Sequence, residues 1–163
     1  MPEHTLQLLA DYHAWTFDVL YAALAPLDDD GYRRDCGLFF KSIHGTLNHL
    51  LVGDTVWFGR CAGTPVTGLA LNSEMERDRL QLERRLRAQS ARWSPWLAAL
   101  TPADLAGTVR YTNMAGESFA QPLPDLLLHV FNHGTHHRGQ ISAALTAQGH
   151  TAPEMDLVWY LRR

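Results

Sequence analysis

The sequence predicts an all-α fold, a four-helix bundle, with either a short hairpin or an extended loop between the third and fourth main helices. Three observations carry that expectation. Apolar residues recur at intervals of three and four over long stretches, which is the period of one helix face. Glycine and proline fall between those stretches as punctuation, with no repeat or low-complexity segment. The 163 residues fit one domain spanning 1–163, large enough to bury a core without disulfides.

Leu6, Leu9, His13, Phe17, Leu20 and Leu24 trace the buried stripe of the first helix, which Pro26 ends. Asp28-Asp29-Asp30-Gly31 reads as a turn, and the segment up to Phe40 as a connector whose Phe39-Phe40 pair packs into the core. A second helix starts near Ser42 and runs to Phe58. Its stripe is Ile43, Leu47, Leu50, Leu51, Trp57 and Phe58, with Asp54 in the middle, so this helix buries an acid. Gly59 to Gly68, with Gly63 and Pro65, reads as a loop. Ser73 then offers an N-cap for a long charged helix towards Trp93 or Leu100, which Pro95 kinks or restarts. Thr108 to Phe119 alternates weakly around Asn113-Met114-Ala115-Gly116, leaving hairpin and extended loop as alternatives. The last long helix runs from Leu126 to Gln148, opened by Pro124-Asp125 and closed by Gly149. In the tail, Leu157-Val158-Trp159-Tyr160 forms an apolar cluster expected to dock on the bundle.

Composition narrows the function. The chain is 46% hydrophobic and 19% charged, and no apolar run approaches the roughly 18 residues of a membrane span, so no membrane partner is expected. Met-Pro-Glu-His-Thr at the start lacks the basic and apolar regions of a signal peptide, which points to the cytoplasm. Cys36 and Cys61 show no metal-like or redox-like spacing and read as packing thiols. Net charge is −3, and the one basic cluster, Arg77 to Arg92, is interleaved with Glu74, Glu76 and Glu83 as on a solvated helix face. No basic stripe suited to phosphates is present, so nucleic acid is not an expected partner.

The unusual feature is nine histidines, of which His129, His133, His136 and His137 fall close together. Helical residues four apart are offset by about 40° and roughly 6 Å, so His133 and His137 project to one side and can chelate one ion. Zn²⁺, Ni²⁺ and Fe²⁺ all bind imidazole well, and a chelating pair needs a further ligand from elsewhere. His49 is the best candidate. It lies about 120–140° from the centre of its helix's apolar stripe, on the same flank as His133 and His137 at roughly 80–120° on theirs. A single histidine is more often a surface residue or a satisfied core imidazole, so spacing by itself leaves the trio a candidate.

Two segments carry a family resemblance. His-Gly-Thr-Leu-Asn-His-Leu-Leu-Val-Gly-Asp-Thr-Val-Trp, from His44 to Trp57, and His-Val-Phe-Asn-His-Gly-Thr-His-His-Arg-Gly-Gln, from His129 to Gln140, resemble the DinB/YfiT-like family. Ala-Asp-Tyr-His-Ala-Trp in the first helix and Val-Arg-Tyr-Thr-Asn followed by Gly116 extend the likeness over nearly the whole chain. The resemblance implies a four-helix bundle with a divalent metal held by His49, His133 and His137. It also implies a homodimer, for which Trp93, Trp96 and the tail aromatics could supply a surface; ordinary core is the other reading of those residues. His13 departs from the asparagine that relatives often carry, and reads as a core-edge imidazole in preference to a group reaching the pocket or metal. His136 projects roughly 60° from the ligand pair and is read as a neighbour. His129, one turn before His133, is either an outer partner or surface. His44 is rotated by about 140° from His49 and is left out of the ligand set.

Arg138 and Asp54 both sit in apolar stripes, and unpaired buried charges are strongly disfavoured, so the two should meet each other or hydrogen-bonded partners in the core. Gly134 and Gly139 would allow close helix approach. Asn132 and Gln140 flank the ligand face, where they either hydrogen-bond an imidazole or bound molecule or face solvent. Three imidazoles leave the coordination sphere open, and a bound metal lowers the pKa of water or a thiol. The wider superfamily implied by the resemblance includes thiol-dependent S-transferases and a mycothiol-dependent isomerase. The leading expectation is therefore a metal-dependent transferase that activates a low-molecular-weight thiol against a small-molecule substrate. A metal-hydroxide hydrolase and a non-catalytic metal-binding stress or detoxification protein are the alternatives.

Overall fold

The structure, a computed structural model, describes residues 2–163, with side chains from residue 4 onward. Met1 and the side chains of Pro2 and Glu3, part of the N-terminal segment read above, lie outside the described residues. The chain is mostly helical, as expected, with one small sheet. In order come α1 (Pro2–Leu24), α2 (Asp29–Arg33), α3 (Ile43–Cys61), α4 (Arg79–Ser90), α5 (Trp93–Ala98), α6 (Pro102–Leu105), β1 (Thr108–Thr112), β2 (Ser118–Pro122), α7 (Leu123–Ala147) and α8 (Leu157–Leu161).

Local chemistry explains most of the boundaries. The Ser42 hydroxyl accepts from the Gly45 N–H at 3.0 Å, satisfying an orphan donor and starting α3 where the sequence placed it. Asp28 does the same for Gly31 at 2.7 Å, so the segment read as a turn is the start of a short helix. Ser73 does not cap α4. Its hydroxyl accepts from the Ala70 N–H inside the preceding loop, and Asp78 caps the helix by accepting from Gln81 N. Pro95 falls in the first turn of α5, where a missing N–H costs nothing, so the charged helix stops at Ser90 and restarts at Trp93. Gly149 ends the last helix region with φ of 81°, a left-handed conformation that costs glycine little.

The four longest helices contact one another in a cycle: α1 lies against α7 and α4, and α3 lies against the same two. Two apolar clusters fill the interior. One gathers Phe17, Leu20 and Leu24 with Leu47, Leu82 and Ile141; the other gathers Leu6 and Ala10 with Phe58, Trp93, Leu127 and Phe131. Each fully buried large side chain among these contributes about 1.5–3 kcal/mol of transfer free energy. Between the clusters lies a buried polar layer, one side chain from each long helix: His13, Asp54, Gln89 and Arg138. The sequence placed Asp54 and Arg138 in the core, and they are there.

The region left as hairpin or loop is a hairpin. β1 and β2 pair antiparallel from Thr108↔Pro122 to Thr112↔Ser118. At its tip the Asn113 side-chain carbonyl accepts from the N–H groups of Ala115 and Glu117. The hairpin packs on α3 and α7. Two apolar assignments need correction. Phe39 is 78% exposed, so the Phe39-Phe40 pair does not enter the core as a unit. In the tail, Tyr160 packs on Tyr12 and Trp15, but Val158 and Trp159 stay exposed. Trp93 is fully buried and belongs to the core. Among the described residues no helix is long and apolar enough to cross a membrane.

Candidate metal centre

His49 comes from the middle of α3, and His133 and His137 from one face of α7. These two helices pack directly, and their imidazoles meet. Nε2 of His133 lies 3.0 Å from Nε2 of His49 and 3.0 Å from Nε2 of His137. The three form a group that could hold a metal ion, with all ligand atoms within 4.8 Å of one another. Nitrogens bound to one ion at about 2.0–2.1 Å stand about 2.8–3.4 Å apart across angles of about 90–109°, so the two 3.0 Å spacings suit a shared ion.

Outer hydrogen bonds set the tautomers. His49 donates from Nδ1 to the Leu71 carbonyl at 2.8 Å, and His137 donates from Nδ1 to the Gln140 side-chain carbonyl at 2.7 Å. With Nδ1 protonated, Nε2 of each neutral ring carries its lone pair toward the centre. Burial keeps the rings neutral. It pushes His133 down from 6.5 to about 3, with further lowering by His137 and His49. It pushes His137 down to about 4, against the raising effect of Gln140, and lowers His49 as well. A cluster of neutral nitrogen donors with converging lone pairs is a donor set that fits a metal of intermediate softness.

Supporting contacts hold the rings in place. Phe40 stacks on His49 with ring centroids 3.8 Å apart and planes 15° apart, so half of the expected Phe39-Phe40 anchor does pack, against the site. The loop carrying Leu71 is tied to α3 by a pair of bonds: Asn48 donates from Nδ2 to the Glu76 carbonyl at 3.0 Å, and Glu76 N–H donates to Asn48 Oδ1 at 2.9 Å. Gly53 faces His133, and a Cβ there would stand 3.2 Å from its Cε1. Neither the Leu71 carbonyl nor the Phe40 stacking was foreseen, because both come from loops whose path sequence periodicity does not describe.

The remaining histidines sort cleanly. His13 is fully buried and bridges Asp54 and Arg138. Its Nε2 donates to Asp54 Oδ2 at 3.0 Å, while its Nδ1 accepts from Arg138 at 3.0 Å. The buried charges therefore meet through an imidazole, and His13 sits deep in the core instead of at its edge. His44 pairs with Glu74 at 3.0 Å, away from the trio. His136 touches only the edge of the group, its ring 4.9 Å from that of His137. His129 stacks edge-on to Trp57 and lies 5.7 Å from the His133 ring, within the cavity wall. Of the two flanking amides, Gln140 binds an imidazole and Asn132 is exposed. Gly134 is needed for close approach, since a Cβ there would lie 2.7 Å from His13 and Arg138, whereas nothing lies within 4 Å of one at Gly139.

The trio forms one side of a cavity of about 550 Å³. Val52, Val56 and Met114 make its walls apolar, and Arg60 and the hairpin tip complete the rim.

A model of the DinB family matches residues 1–163. The chain belongs to the DinB family. Protein DinB of Bacillus subtilis (strain 168) is similar to it, at 26% identity over 159 residues that cover 94% of this chain and 91% of the relative. DinB family membership and the three-histidine cluster together fit metal binding.

Proposed function

We propose that this DinB family protein binds a divalent metal, Zn²⁺, Ni²⁺ or Fe²⁺, through His49, His133 and His137, and is a transferase that uses the site to activate a low-molecular-weight thiol. The cycle of α1, α3, α4 and α7 is read as the family's four-helix bundle. The observation that carries the metal reading is the convergence of three Nε2 lone pairs, two of them fixed by Nδ1–H donation to Leu71 and Gln140. Among the described residues no fourth histidine, cysteine or carboxylate joins the group. That leaves coordination open on the cavity side, as in catalytic and not structural sites.

When bound, the metal supplies Lewis acidity that lowers the pKa of a thiol or water placed against it. The cavity favours a thiol. No carboxylate lines it among the described residues, so no acid-base carboxylate stands ready to deprotonate water. A thiol, ordinarily near 8.5, needs its pKa lowered by only about 1.5 units to ionise at neutral pH, against about 9 for water. The apolar walls would orient the small-molecule substrate. With the thiol ionised and its proton released to solvent, sulfur would bond to the electrophilic carbon as the leaving group departs with the bonding pair.

Metal analysis of the wild type beside His49→Ala, His133→Ala and His137→Ala tests the site: each variant should lose most of its metal, and undiminished metal in all three would sink the assignment. Metal-loaded protein should conjugate simple thiols to model electrophiles. Thiol-independent ester or amide cleavage would favour the hydrolase reading, and inactivity in both assays a metal-sequestering protein.

A further inference from the structure

Arg60 lines the cavity at the end of α3, and nothing in the metal reading uses it. Its guanidinium lies 4.6 Å from the centre of the Trp57 ring and 4.7 Å from that of Tyr111, against a pair of rings that meet each other edge-on at 5.2 Å. One hydrogen bond, from Nη2 to the Thr112 carbonyl at 3.0 Å, ties it to the hairpin. A guanidinium has five N–H donors, so this bond leaves most of them free for a ligand.

Position sets this arginine apart. Arg33, Arg77, Arg85 and Arg87 each meet a carboxylate, whereas Arg60, like Arg79, Arg92 and Arg110, makes no ion pair among the described residues, and it is the one Arg or Lys among them that lines the cavity. Glu74, in the loop that carries Leu71, is engaged with His44 and Arg77, and Glu117, in the hairpin turn, with the Asn113 side-chain amide. Neither lines the cavity, and no other Asp or Glu does among the described residues. The cavity therefore joins one unpaired cation, neutral imidazoles and apolar walls. Burial also lowers the Arg60 pKa, which reflects the desolvation that an incoming anion would offset.

We propose that Arg60 is the anion-recognition group of this cavity, so that the molecule entering it carries a carboxylate. A planar guanidinium matches a carboxylate through paired N–H donors, and its contacts with Trp57, Tyr111 and the Thr112 carbonyl hold the fork in place. The carboxylate belongs either to the thiol or to its electrophilic partner. The sulfur chemistry rests on the transferase reading, but anion binding at Arg60 does not.

Titration of the metal-free protein keeps the two separate. Trp57 reports occupancy, because an anion drawing on the guanidinium alters its emission; a Trp57→Phe variant identifies that part of the signal. Mercaptosuccinate and succinate should bind at least tenfold more tightly than mercaptoethanol, and added salt should weaken the difference. Arg60→Gln should lose at least tenfold in dicarboxylate affinity, and Arg60→Lys should recover part of it while metal content stays at the wild-type level. In metal-loaded protein, acidic thiols with neutral electrophiles and the converse pairs show through KM which partner bears the acid.

Equal binding of neutral and acidic probes by the wild type would overturn the proposal, and needs no variant. So would an Arg60→Gln protein that melts earlier but binds dicarboxylates unchanged, which would make Arg60 only a latch for the hairpin.

Discussion

Gln140 and Asp54 show what single residues contribute beyond the ligands. Gln140 accepts from His137 Nδ1 and so holds the ring's lone pair on the metal side. Gln140→Leu should therefore weaken metal binding by about 10–100-fold while helicity is retained, as measured by chelator competition beside circular dichroism. Unchanged affinity would show that packing on Phe40 and neighbouring rings orients His137 unaided. Asp54 acts on stability. It accepts from His13, which in turn accepts from Arg138, so a carboxylate balances a guanidinium across one imidazole in the core. Asp54→Ala leaves Arg138 buried without its counter-charge and should cost about 3–5 kcal/mol in urea denaturation. A loss below about 1 kcal/mol would mean that Arg138 finds another partner. The sequence showed that these charges were buried, since both interrupt apolar stripes. It did not show His13 between them, because an imidazole at the edge of a stripe has the same spacing as one at its centre.

Among the elements, the contact between α1 and α7 depends on Gly134. A methyl group there would stand 2.7 Å from both His13 and Arg138, in a layer with little room to give. Gly134→Ala should destabilise the protein by about 1–3 kcal/mol, read as a lower urea midpoint, despite the better helix propensity of alanine. A gain in stability would show that the two helices separate freely. The start of α4 teaches the opposite lesson about local signals. Ser73 followed by charged residues has the pattern of a helix start, yet the segment up to Asp78 runs as a loop. Paired bonds between Asn48 and Glu76 hold it across α3 and bring the Leu71 carbonyl to His49. Those tertiary bonds outweigh a propensity of a few tenths of a kcal/mol per residue. The last long helix was legible because its periodic run is long and bounded by proline and glycine.

For the whole molecule, proton and metal linkage act on the same three rings. The folded protein holds His133 at about 3 and His137 at about 4, while the unfolded chain takes those protons near 6.5. The unfolded state therefore binds more protons below about pH 6.5. The contribution of the neutral rings to stability is complete above that pH and is lost as pH falls towards 4 and then 3. Thermal melts of metal-free protein should fall through this window, and a melt independent of pH from 7 to 4 would contradict the buried, neutral cluster. Metal at about 100 times its dissociation constant should add about 2.7 kcal/mol, or roughly 5–10 °C in Tm. That increment should shrink with acid, because protons compete for the same Nε2 lone pairs.

The sequence by itself determined the helical class, the ends of α3 and α7 to within a few residues, and the pairing of His133 with His137. Each of these depends on residues near one another in the chain, where helical period and capping act directly. Only the tertiary structure decided how His49 meets that pair, that the Leu71 carbonyl fixes the His49 tautomer, and that a hairpin brings Tyr111 against Arg60 at the cavity rim. Those contacts join residues more than twenty positions apart. The packing of helices and the path of loops place them, and no local spacing encodes either.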